Sequence, residues 1–422
     1  MTPIRHMRNY LVTTLLLVSL AAAQTSTPAV SPQARALHNS ALVVDTHADT
    51  PQRFLDEGFD MGTVTPISEG HMDLEKVRAG NLGAEFFAIW VEPSWKGQYA
   101  QHAMLLIDSV YGQAARHPDR MVMAFSSRDI LAARAGKKPR LATLMGIEGG
   151  HVIENDLGLL RDFYRLGVRY MTLTWSNTNE WADSSGDIND PKVAHHKGLT
   201  PFGKQVVQEM NRLGMMVDVS HVSDRTFYQT LVVSRAPVIA SHSSARALNN
   251  HPRNMTDDML RAVALNDGVV MVNFFSAFLD QKFLDAYRAQ KPERDAAVTA
   301  FEKKYQKEHD VAFTPYSALA ALEKEWAAKL SRPPLDSLIG HIDHIAKVAG
   351  VDHVGLGSDF DGVTSLPQGL DSAADLPKIT QALLDRGYTP AQVRKILGEN
   401  LMRVFRQVER VSHQMQTENI KP

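Results

Sequence analysis

The sequence predicts an α/β fold, a (β/α)8 barrel, and three observations predict it. Apolar runs rich in β-branched residues recur eight times along the chain. Stretches with helical spacing of apolar residues, ending at glycine, lie between them. Polar and titratable residues stand at the C-terminal ends of most of the runs. Strand–helix–strand repetition makes parallel βαβ units. Eight such units close on themselves, and their C-terminal strand ends meet at one face, so residues far apart in the chain converge. An open doubly wound sheet would gather its ligand groups at a switch point between two strands, and the spread of chemistry over many strand ends favours the barrel.

The runs are ALVVDTHAD (41–49), AEFFAIWV (84–91), ATLMGIEGG (142–150), VRYMTLTW (168–175), MMVDVSH (215–221), PVIASHSS (237–244), GVVMVNFF (268–275) and HVGLGSDF (353–360). Between them, GLLRDFYRLG (158–167), TPFGKQVVQEMNRLG (200–214) and TDDMLRAVALNDG (256–268) read as helices with glycine as the C-terminal stop. The last two runs are about 80 residues apart, too far for one crossover helix. The intervening FLDQKFLDAYRAQKPERDAAVTAFEKKYQKEHD is charged and helix-prone. It reads as a solvated helical insertion over about 276–335, in preference to a lid over the site. TPAQVRKILGENLMRVFRQVER (389–410) reads as an amphipathic helix or pair packed on the barrel.

The composition is that of an ordinary globular protein, 44% hydrophobic and 22% charged over 422 residues. A net charge of −2 with no long basic block excludes a surface built for nucleic acid. Arg5 and Arg8 precede YLVTTLLLVSL and then AAAQT, the pattern of a secretory signal over residues 1–23. Its apolar stretch is shorter than the ~20 residues of a membrane span. Residues 24–35 read as a flexible leader, and 36–422 as a single hydrolase-sized barrel domain. The chain has no cysteine, hence no disulfide framework and no lipid-attached cysteine. The expectation is an exported protein, periplasmic or secreted, without a stable membrane span.

The chemistry sits at the strand ends. His47 and Asp49, two apart, would project together from one strand end, and taken alone they read either as half of a zinc site or as a polar turn that leaves the strand and caps the next helix. Glu148, His221, His242 and Asp359 end other runs. Two histidines from separate strands, the His47–Asp49 pair and one glutamate are too many ligands for one tetrahedral catalytic zinc that keeps a water. They suit two ions sharing a carboxylate, which can hold a hydroxide between them and polarise a carbonyl oxygen. Asp359, left unligated, is placed to take the water's proton and pass it to a leaving amine. His341 and His344, three apart on a helix, read as packing or surface groups, and His195 and His196 lie in a polar loop. His71 and His151 stay ambiguous.

At this point the sequence resembles a known family, the membrane (renal) dipeptidases, peptidase family M19, of the metal-dependent amidohydrolase superfamily. The matching stretches are VVDTHADT (43–50), GIEGGH (146–151), YRLGVRYMTLT (164–174), NEWADS (179–184), MNRLGMMVDVSHVS (210–223), IASHSSARAL (239–248) and HVGLGSDFDG (353–362), in family order over nearly the whole chain. The resemblance implies one zinc on His47 and Asp49, a second on His221 and His242, and Glu148 bridging them. It implies Asp359 as general acid/base and Arg253, in HPRNM (251–255), as the clamp on a substrate's C-terminal carboxylate. A guanidinium fork suits a carboxylate. It further implies dipeptide substrates, some with a C-terminal D-residue, and a homodimer. One departure stands out: where the vertebrate members carry a substrate-contacting histidine after YMTLT, this chain has Trp175, whose indole has one donor and no titratable nitrogen.

Two other readings remain open from sequence. A related amidohydrolase could cleave another small amide, such as an N-acyl amino acid, because fold does not fix substrate. A zinc- or peptide-binding protein without turnover is disfavoured by Asp359, since a pure binder has no use for a spare carboxylate at the metal mouth.

Overall fold

The apolar runs become parallel strands in the computed structural model, which describes residues 29–311, 314 and 316–418. The strands are β1 (Val43–Ala48), β2 (Leu82–Trp90), β3 (Met121–Met123), β4 (Leu141–Glu148), β5 (Val168–Thr172), β6 (Met216–Asp218), β7 (Ile239–Ala240), β8 (Val269–Val272) and β9 (Val354–Leu356). Their order is β1-β2-β4-β5-β6-β7-β8-β9, with every neighbour parallel. The ring closes just past β9: Ala48 bridges to Phe360, the Asp49 N–H donates to Phe360 O at 2.8 Å, and the Asp359 N–H donates to His47 O at 2.9 Å. This is the predicted eight-stranded barrel.

β3 is an addition that the sequence reading lacked. It runs beside Leu141–Thr143 of β4, and β5 takes over that side of β4 from Met145. MVM is too short to stand out as a run. The strands are also shorter than the runs that predicted them, most of all β7 with two residues.

Two apolar layers hold the barrel. Val43, Phe87, Ile147 and Val217 point outward to helix residues such as Leu106, Val206, Leu260 and Ile342. Val44, Phe86, Leu144 and Tyr170 pack with Leu401 and Phe405 of the helix Asn400–Glu418, the Phe86 and Phe405 rings meeting edge-on at 6.3 Å. Val44, Ala84 and Ala142 of the same layer sit early in their strands, so this C-terminal helix plugs the N-terminal mouth of the barrel. The opposite mouth is left for chemistry.

The helix between β5 and β6, Pro201–Leu213, starts at Thr200, whose hydroxyl accepts the Gly203 N–H, and stops at left-handed Gly214 as predicted. The helix Asp257–Leu265 stops differently: Asp267, not Gly268, takes the left-handed conformation. The insertion after β8 forms helices Ser276–Leu279, Gln281–Ala289, Lys291–His309 and Tyr316–Ala328 before the crossover helix Leu335–Ala349. At the other end, residues 32–35 of the expected flexible leader belong to the helix Pro32–Ser40, capped by Ser31 and led by a proline that favours the first helical turn. The expected signal at 1–23 lies outside the described residues. No helix among the described residues is long and apolar enough to cross a membrane.

Candidate active site

The open mouth gathers the polar strand ends. β1 is irregular between Asp45 and Ala48, and within that stretch His47 points its Nε2 to within 3.5 Å of Asp49 Oδ2 and 3.5 Å of Glu148 Oε2. Glu148, the last residue of β4, turns its other oxygen away: Oε1 lies 2.8 Å from His221 Nε2 and 3.3 Å from His242 Nε2. One carboxylate thus faces His47 with one oxygen and the His221–His242 pair with the other. His221 and His242 follow β6 and β7, and their Nε2 atoms are 2.9 Å apart. Two imidazole nitrogens that close must share a proton or a cation. All five side chains are buried.

Neighbouring hydroxyls set the tautomers that free these nitrogens. Tyr170 donates its hydroxyl proton to the Thr46 carbonyl at 3.0 Å, so its oxygen accepts from His47 Nδ1 at 2.8 Å. Nδ1 therefore carries a proton, and Nε2, buried without a hydrogen-bond partner, faces the carboxylates. Ser241 repeats the device: it donates to Asp218 Oδ2 at 2.6 Å and accepts from His242 Nδ1 at 2.8 Å. Partners of this kind orient metal-ligating histidines. Glycine makes room for Tyr170, since a Cβ on Gly146 would lie 2.0 Å from its ring.

The cluster's charges call for a cation. Burial opposes charge on His47, but Tyr170, Glu148 and Asp49 outweigh it and raise its pKa well above the ordinary value. Burial pushes the Asp49 carboxyl up to about 8, against the pull of His47. Burial also opposes the charge on Glu148, yet His47 and the hydrogen bonds from His221, His242 and His47 hold it well below the carboxylate range.

Asp359 enters from the loop after β9. Its backbone is left-handed, φ 64°, as is that of His221, φ 65°. Non-glycine residues rarely adopt that conformation, and it concentrates at functional sites. Asn273 donates to Asp359 Oδ2 at 2.7 Å, and burial, with Glu148 nearby, raises the Asp359 pKa against His47, Asn273 and Arg253. Gly362 closes over the pair: a Cβ there would lie 2.0 Å from Asp49 Oδ2 and 2.6 Å from Asp359 Oδ1.

These groups open into a cavity of about 350 Å3. Arg253 lines it, with one amino group donating to His242 O at 3.1 Å and a buried Nε without a partner. Burial lowers its pKa to about 10, still far above neutrality. Trp175 lines the cavity too, its ring 5.0 Å from that of Trp90. The insertion reaches the same space through Phe278, Tyr287, Leu319 and Glu323, so it is a wall of the cavity and not only the solvated appendage that its charge suggested.

A family profile described as "Membrane dipeptidase (Peptidase family M19)" matches residues 31–419. The chain belongs to the membrane dipeptidase family. It is a hydrolase of the metallo-dipeptidase type. Solved structures share the fold. The probable dipeptidase PvdM from Pseudomonas aeruginosa is 26% identical with a TM-score of 0.75, over 90% of this chain and 98% of that one. A metallo peptidase from Rhodobacter sphaeroides, liganded with a phosphinate mimic of the dipeptide L-Ala-D-Ala, is 24% identical with a TM-score of 0.68, over 87% and 99%. An amidohydrolase from Pseudomonas aeruginosa is 23% identical with a TM-score of 0.66, over 89% and 98%.

The family implies metal ions, and the residues here fit them. His47, Glu148 and His242 form one candidate cluster, and His47, Asp49 and Asp359 another. The buried His47 Nε2, without a hydrogen-bond partner, and the close His221–His242 nitrogens fit a set of metal ligands.

The other histidines have local partners. His341 accepts the Ala245 N–H at 2.9 Å and donates to Leu279 O at 3.0 Å. His344 meets Asp257, and His196 meets Asn179 O. His195 is the exception: its Nδ1 lies 3.9 Å from Asp183, and neither ring nitrogen has a hydrogen-bond partner. Of the ambiguous pair, His71 accepts the Asp361 N–H at 2.8 Å and His151 bonds Val91 O at 2.8 Å, so both are tied to backbone. Tyr170, Ser241, Asp218, Asn273, Gly362 and Glu323 escaped the sequence reading. Asp218 does stand as a lone acid among Met215, Met216, Val217 and Val219, which was a usable signal.

Proposed function

We propose that the chain is an exported binuclear zinc dipeptidase that hydrolyses the peptide bond of dipeptides, including those with a C-terminal D-residue. One observation supports the two-metal reading: Glu148 turns one oxygen to His47, whose Nε2 also faces Asp49, and the other oxygen to His221 and His242. In this reading His47 and Asp49 hold one ion, His221 and His242 the other, and Glu148 serves both. Bound there, zinc would supply a water nucleophile at neutral pH and polarise the scissile carbonyl.

The chain's own residues do the rest. Arg253 pairs with the substrate's C-terminal carboxylate through a charge-assisted fork and so fixes the peptide's register. Asp359 Oδ1 takes the proton released by attack on the carbonyl and delivers it to the departing amine. Asn273 holds Asp359 Oδ2 and keeps the other oxygen toward the cavity. Trp175 and Trp90 wall the pocket against water and shape side-chain preference. The L-Ala-D-Ala mimic on the Rhodobacter sphaeroides relative supports substrates of mixed stereochemistry.

Export rests on the basic, apolar and small-residue pattern of 1–23, and a homodimer on the family resemblance. N-terminal mass analysis of the exported chain checks the first, and sedimentation the second.

The test is hydrolysis by the zinc-loaded mature chain of L-L and L-D dipeptides, matched tripeptides and N-acetyl amino acids. Cleavage of dipeptides and not tripeptides is expected. Release of acetate without dipeptide turnover would overturn the reading, and would favour the amidohydrolase alternative that Trp175 in place of the family histidine keeps alive.

A further inference from the structure

The cavity extends past the candidate metal ligands and Arg253. Its far wall comes from the insertion: Tyr287 from the helix Gln281–Ala289, and Leu319 and Glu323 from the helix Tyr316–Ala328. None of them has a part in the chemistry described above. Glu323 is a carboxylate set among Phe275, Phe278, Tyr287 and Leu319. A charge in apolar surroundings is costly unless a cation meets it. Its ion-pair partner is Arg294, whose Nε stands 3.8 Å from Glu323 Oε2, beyond hydrogen-bond reach. Arg294 itself lies over the Tyr287 ring at 3.9 Å. Glu323 is therefore held beside a cation without being satisfied by it, and its side chain keeps 22% exposure.

We propose that Glu323 and the aromatic wall beside it select dipeptides that carry a cationic side chain, lysine or arginine, on one of their two residues. The assignment deepens the dipeptidase reading and rests on it. Long cationic side chains bury their aliphatic stems along apolar surface while the charged head seeks a polar partner. Phe278 and Leu319 offer that surface, and Glu323 offers the partner. Arg253 and the metal-ligand cluster engage the backbone of the substrate, which leaves the side chain to reach the insertion. Barrels vary their loops at this face to vary substrate.

The experiment compares kcat/KM of the zinc-loaded full chain on Lys-Ala and Ala-Lys with their norleucine and glutamate counterparts. The lysine form of one of the two series should exceed its norleucine isostere by roughly 10-fold to 100-fold, the scale of one charge-assisted hydrogen bond. Glu323→Gln should collapse that ratio, and Glu323→Lys should turn the preference toward glutamate. Equal rates on lysine and norleucine substrates in the unaltered enzyme would overturn the assignment and leave the dipeptidase reading standing. So would an equal loss on all substrates in Glu323→Gln, the mark of a purely structural ion pair. Absence of turnover on every dipeptide would overturn both.

Discussion

The Tyr170 hydroxyl stands 2.8 Å from His47 Nδ1 while donating to the Thr46 carbonyl. A phenol inside the barrel thereby decides which nitrogen of a candidate metal ligand is free. Tyr170→Phe keeps the ring and removes only the oxygen, so the fold should survive. Affinity for one of two zinc ions should fall roughly 10-fold to 100-fold, the usual cost of losing such a partner, as read by competition against a chelator.

Ser241 plays the same part for His242, between Asp218 Oδ2 and His242 Nδ1. Ser241→Ala should weaken the other zinc by a similar factor. The double variant should lose both ions, which elemental analysis after dialysis would show.

Gly362 is a steric prediction. A Cβ there meets Asp49 Oδ2 at 2.0 Å and Asp359 Oδ1 at 2.6 Å. Its backbone does not need glycine's left-handed freedom, so Gly362→Ala should fold with a melting temperature near that of the unaltered chain. It should nevertheless lose most of its turnover, because both carboxylates must move. A large fall in melting temperature would count against this.

Asp359→Asn should cut kcat by about 10^2-fold to 10^4-fold, the scale of general acid–base catalysis. Zinc content and substrate affinity should stay close to those of the unaltered chain. Loss of zinc in this variant would make Asp359 a ligand instead.

Two buried histidines away from the cluster set an acid limit on stability. Burial lowers the pKa of His341 to about 4 and that of His38 to about 4. The folded state then binds fewer protons than the unfolded one between those values and the ordinary 6.5. Stability is complete above pH 6.5 and lost as pH falls toward 4. The loss is about 3 kcal/mol for each group. His341 shows why: its Nδ1 accepts the Ala245 N–H, and protonation breaks that bond. Denaturant titrations across pH 7 to 4 should show the loss, and replacing both histidines with glutamine should remove their share of it, leaving that of other buried histidines such as His71 and His251.

Much of this was legible in the sequence, and for a physical reason. A barrel brings strand ends together, so His47, Asp49 and Glu148 could be read as neighbours from their place after apolar runs. His221, His242 and Asp359 lie two or three residues beyond shorter strands than the runs implied, yet the loops return them to the same mouth. What sequence could not give was set by tertiary contact. Tyr170 touches His47 across 123 positions of chain, and Asn273 touches Asp359 across 86. Nothing local marks either. Glu323 sits in a stretch whose charge pattern reads as solvated surface, and only the packing of the insertion over the mouth turns it inward.

The proposed site has two zinc ions sharing Glu148. Its most direct test is titration of zinc into the metal-free chain while dipeptide hydrolysis is followed. Turnover should rise to its limit at two equivalents per chain, and Glu148→Gln should neither bind two nor turn over. Full activity at one equivalent, or in the metal-free chain, would contradict it.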